Sequence, residues 1–137
     1  MNHRQTLRIA EHEAAYAIVA QKMGLPVAWV QITPGFEEGI DFMAAVKIPD
    51  ELIDRERDLL AICVAMSAPS HLPHRGTEIG RYAEIEAGLA YEVAGRAGIE
   101  FDEVFDLAEL HVTENRADIV DLALTLIEKG RVEFATA

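Results

Sequence analysis

Cysteine, basic side chains and long apolar runs are all scarce in this sequence. One cysteine among 137 residues, Cys63, excludes an internal disulfide. Its place in the apolar stretch Leu59–Met66 reads as a small buried hydrophobe rather than a nucleophile. Twelve Lys and Arg stand against 24 Asp and Glu, a formal charge of −12. Nucleic acid is therefore excluded as a partner, because phosphate binding needs clustered cations. No apolar run approaches the roughly 20 residues that cross a bilayer. The opening MNHRQTLRIAEHE has no apolar centre of the signal-peptide kind. A soluble, cytoplasmic protein is the expectation.

Half of the residues are hydrophobic, which separates the chain from disordered acidic sequences. The length suits one core and one domain, over residues 1–137. The acidic excess is uneven: residues 1–32 carry three basic and two acidic side chains, and the remaining chain carries nearly all the carboxylates. The N-terminal segment is the first place to look for a site.

A helix is expected from Gln5 to Met23, apolar around most of its surface and hence central, with Gly24 as its stop and Pro26 beyond. Val27–Thr33 and Ile40–Ile48 read as strands joined by a glycine-containing turn, hence a hairpin. A second helix is expected to start near Pro49-Asp50-Glu51 and to stop before Pro69. Ala68–Gly76 reads as a loop. Further helices are expected over Glu78–Ala97, Asp102–Glu114 and Ala117–Lys129, followed by an extended tail, Arg131–Phe134. Sequential strands followed by helices give an α+β, mostly helical class with one small early sheet. Trp29, in the first strand, is expected in the core.

The chemistry-bearing stretch is His12-Glu13-Ala14-Ala15-Tyr16. In H-E-x-x-H helices the two histidines, four residues apart, share a face and reach one zinc while the glutamate is general base. Here the first His and the Glu are present, and Tyr16 stands at the second His position. Taken alone, the pair also fits a satisfied core histidine beside a capping or solvated carboxylate.

The wider run resembles the opening of the FtsH-type zinc protease domain. The residues that carry the likeness are Ala17–Ala20 and Gly24, then Val30-Gln31-Ile32-Thr33-Pro34-Gly35, Gly39 and Pro49-Asp50-Glu51. It continues more faintly through Asp58–Met66, Glu86–Gly98 and Glu114–Phe134. The resemblance implies a lone zincin-like domain without the family's ATPase module or membrane segments. It also implies an extended-peptide site on the strand edge beside Trp29.

Departures from that pattern shape the functional expectation. Tyr16 replaces a zinc ligand, Ala15 replaces a glycine, and Ala65–Ser70 lacks the family's carboxylate. The family's third ligand, an aspartate, aligns with Tyr82, and a small shift offers Glu84 or Glu86. His71 and His74 lie near the missing carboxylate, so a rescued site with His12 is one alternative to an inert, exposed loop; His111 reads as a surface residue and His3 as part of a frayed end. Tyr16 is expected to fill the metal cavity with its hydroxyl bonded to His12 or Glu13. The resulting expectation is a degenerate zincin that binds or regulates a protein or peptide, with no cofactor at full occupancy. Two alternatives stand beside it. One is a metallohydrolase with zinc or another divalent ion on His12, Tyr16 and Glu84 or His71. The other is a metal-free acid–base enzyme using Glu13, Tyr16 and His12.

Overall fold

The computed structural model describes residues 3–34, 42–47, 56–73 and 78–134. Its elements are α1 (His3–Lys22), β1 (Trp29–Pro34), β2 (Phe42–Lys47), α2 (Glu56–Ser67), a 3-10 turn at Ala68–His71, α3 (Glu78–Ala97), α4 (Phe101–Glu114), α5 (Arg116–Lys129) and β3 (Arg131–Glu133). The expected α+β, mostly helical architecture is what forms. The expected helix start at Pro49–Glu51, the turn glycines and His74 lie outside the described residues.

Helix α1 is the axis of the domain. Ile9, Ala10, Ala14, Ala15, Ala17, Val19 and Ala20 are all buried, so the helix is enclosed on every side. Alanine makes this feasible: it is the best helix former and lets neighbouring backbones come close. Against α1 pack α5 along its length, α2, the 3-10 turn, α4 and the hairpin. Helix α5 contributes Ile119, Leu122, Ala123 and Leu126; α4 contributes Val104, Ala108 and Val112, at the three- and four-residue spacing of one face. Gly24 (φ +88°) ends α1, and its Leu25 amide turns back to donate to the Ala20 carbonyl at 2.9 Å.

The sheet has the order β2–β1–β3, antiparallel throughout. The hairpin register runs from Trp29 opposite Lys47 to Pro34 opposite Phe42. The extended tail forms β3, a pairing not expected from the sequence, which sets it against Trp29–Gln31. Gly130, in the left-handed conformation at φ +75°, ends α5 and turns the chain so that its carbonyl accepts from the Ile32 amide at 2.9 Å. Trp29 is half-buried rather than in the core, because the Arg131 guanidinium lies 4.5 Å over its ring. That stretch of the β1 edge is therefore taken by the chain's own β3.

Because α1 and α5 share the core, truncating their contact is expected to be costly. Leu126→Ala, at a fully buried position, is expected to lower unfolding stability by about 2–5 kcal/mol in urea titrations. Leu124→Ala, on the exposed face of the same helix, is expected to change it by less than about 0.5 kcal/mol. Equal effects would contradict this packing.

Candidate functional site

Three consecutive polar residues, Glu11, His12 and Glu13, lie in the enclosed part of α1, all at 8 % exposure or less. Successive helix positions differ by about 100°, so the three point to different neighbours. Glu11 turns toward α5 and accepts from the Arg116 guanidinium at 3.0 Å. His12 turns toward α3. Its Nε2 lies 2.5 Å from Glu86 Oε1 and 3.8 Å from Glu13 Oε1. A carboxylate only accepts, so Nε2 carries the proton and donates it to Glu86. Nδ1 is buried with no hydrogen-bond partner among the described residues.

Helix α3 grips this imidazole with two side chains one turn apart. Tyr82 lays its ring 5.4 Å from the His12 ring, tilted by 48°. Glu86, four residues on and therefore on the same face, supplies the carboxylate. Glu86 is the residue that reaches His12, and Glu84 is exposed to solvent. Of the three alignment choices, Tyr82 and Glu86 thus both face the motif helix, and Glu84 does not.

Glu13 is almost completely buried, and its carboxyl is pushed up to about 7. Burial is the main cause. The nearby His12 opposes it and the neighbouring Glu86 carboxylate adds to it. Tyr16, one turn after His12, is held as a neutral phenol well above the ordinary tyrosine range, by burial first and then by the Glu86 and Glu13 carboxylates. Tyr82 is raised in the same way and for the same leading reason. The hydrogen bond expected from Tyr16 to His12 or Glu13 is not formed; Glu86 is the partner of His12. Cys63, from α2, also borders Tyr16, and its thiol points at the Ala90 carbonyl at 3.6 Å. Burial raises the pKa of this thiol, the opposite of nucleophile activation.

His71 is set apart from this cluster. Its Nδ1 lies 3.5 Å from Glu109 of α4 and its ring packs on Phe105, with centroids 4.1 Å apart. It faces α4, and the structure does not bring it together with His12. His111, expected at the surface, is half-buried with its Nδ1 shielded, and its carbonyl accepts from the Asn115 amide where α4 ends.

A catalytic zinc takes three protein ligands and keeps a fourth position open. The donors converging here are one imidazole nitrogen and the Glu86 carboxylate, already bonded to each other, the Glu13 carboxyl, which burial favours as the neutral acid, and a phenol that must lose its proton to ligate. Among the described residues no group of three or more His, Cys, Asp or Glu side chains is arranged to hold a metal ion. This donor set does not fit a catalytic zinc. What it can do is hold a proton near neutrality on Glu13 and keep an imidazole fixed between a ring and a carboxylate.

The raised Glu13 carboxyl has a pH signature. Below the ordinary carboxylate range, about 4.3, Glu13 is protonated in folded and unfolded chains alike, and its contribution is fully present. As pH rises, the unfolded chain ionises first, so stability falls until the folded carboxyl itself titrates at about 7. The loss is on the order of 3 kcal/mol. Glu13→Gln stays neutral, so urea titrations from pH 4 to 8 should show the variant gaining on the parent across this window. A difference that does not vary with pH would refute the burial account.

Comparison with known protein families finds no family model that matches this chain, and comparison with curated proteins finds no relative.

Proposed function

We propose that this chain is a degenerate FtsH-type zincin domain that binds a protein or peptide segment without ordinary zinc-dependent proteolysis. The observation that carries the reading is the contact between Glu86 and His12 Nε2, the imidazole position a zinc would need, beside a neutral Tyr16. The order of elements, a motif helix followed by an antiparallel hairpin and then helices, is consistent with the resemblance in sequence.

A binding role is supported by the outer flank of α3. Tyr82, Ile85 and Leu89 follow a three- and four-residue spacing and are 51, 62 and 49 % exposed. Exposed apolar side chains aligned on one flank suit a partner's apolar anchors. The chain's charge of −12 favours basic flanks on that partner. Among the described residues no helix is long and apolar enough to cross a membrane.

A panel of extended peptides with apolar anchors and basic flanks, supplied with zinc, tests this directly. Binding by fluorescence anisotropy is expected without cleavage, and Leu89→Asp is expected to weaken it at least tenfold. Zinc-dependent cleavage that Glu13→Gln abolishes would overturn the reading.

One further observation favours a second reading, metal-free acid–base chemistry on a small molecule: a Glu13 carboxyl pushed up to about 7 beside an anchored imidazole. This reading expects any turnover of a small ester or amide to disappear in Glu13→Gln and to be indifferent to chelator. Turnover that survives the substitution would end it.

A further inference from the structure

We infer that the hydrogen bond between His12 and Glu86 stands in place of a metal–ligand bond, and that Tyr16 is the single residue keeping zinc out of this site. Three observations meet here. His12 and position 16 share a face of α1, where Cβ atoms four residues apart lie about 5–6 Å from each other. Glu86 approaches from α3 to 2.5 Å from His12 Nε2 and is near enough to Tyr16 to disfavour a second negative charge there. His12 and Glu13 are buried, and the half-exposed Tyr82 ring covers the outer side of the imidazole.

Two nitrogens from α1 and one oxygen from α3 would be the donor count of a catalytic zinc, and this chain is one nitrogen short. Ligands at about 2.0–2.1 Å around a tetrahedral zinc stand about 3.3 Å apart. Glu86 would have to withdraw from His12 by roughly 1 Å for an ion to enter. A glutamate side chain does this by small rotations, whereas no rotation turns a phenol into an imidazole. Tyr16→His therefore supplies the missing donor from the same face of α1 as His12, and Glu86 becomes the third ligand. The inference rests on the reading of α1 as a zincin-type motif helix, and it commits to zinc as the ion and to Glu86 as the third donor.

The test is zinc titration by calorimetry on the whole chain. The parent protein is expected to bind zinc at least 100-fold more weakly than Tyr16→His, which should bind one ion per chain. Adding His12→Ala to Tyr16→His should remove that binding, and adding Glu86→Gln should weaken it at least tenfold. A folded Tyr16→His variant, with parental circular dichroism, that binds zinc no better than the parent would overturn the inference. So would loss of binding in the His12→Ala double variant without any effect of Glu86→Gln. A measurement on the unmodified chain covers the case in which Tyr16→His does not fold. The His12 ring resonances should be unmoved by equimolar zinc, and a shift into a slowly exchanging bound form would refute the proposal. Tight zinc binding by the parent without peptide cleavage would defeat this inference and leave the binding function standing. Zinc-dependent cleavage would defeat both.

Discussion

The structure depends on enclosing α1 although that helix carries Glu11, His12 and Glu13 in a row. A buried ionic or polar group must be paired, hydrogen-bonded or neutralised, because its desolvation cost otherwise exceeds what folding supplies. Here each residue has a different solution. Glu11 meets a guanidinium from α5, His12 meets a carboxylate and a tyrosine ring from α3, and Glu13 holds its proton up to about pH 7. The first two tie α1 to different helices, so the polar residues fix where α3 and α5 lie. Apolar contacts alone, which are non-directional, would leave those positions less specified.

This view also explains why the site lies inside the domain. The small residues that let α1 be surrounded, Ala14, Ala15 and Ala17, bring its neighbours close. Closeness shields Glu13 and Tyr16 from water, and the Glu86 carboxylate then acts on both groups more strongly than it would at a surface. Packing and electrostatics are the same fact seen from two sides.

Much of the fold was legible in the residues. The glycines after α1 and α5 mark stops because both need a left-handed conformation, and the alanine-rich N-terminal run signals a central helix through its lack of a polar face. The β3 pairing was less legible: Arg131–Glu133 is too short to show alternation, and its place is set by Gly130 and by Arg131 lying on Trp29. At the site, His12, Glu13 and Tyr16 are readable from local spacing because one helix carries them. Glu86 is not, since it lies 74 residues away and its choice over Glu84 depends on the rotation of α3 against α1. Arg116, which neutralises Glu11, gave no signal for the same reason: a lone basic residue between two helices looks like any solvated surface charge.

The outer flank of α3 and its inner face meet at Tyr82. Its ring lies on His12, yet half of the residue is exposed beside Ile85 and Leu89 on the outer flank. Tyr82 is thus both wall and surface. That flank is separated from the imidazole by one ring, and the side chain one turn further, Glu86, holds the imidazole Nε2. Because Tyr82 and Glu86 are carried four residues apart on one helix, ring and carboxylate meet His12 from the same face. The exposed flank of α3 and the buried contact with His12 are therefore two faces of one helix.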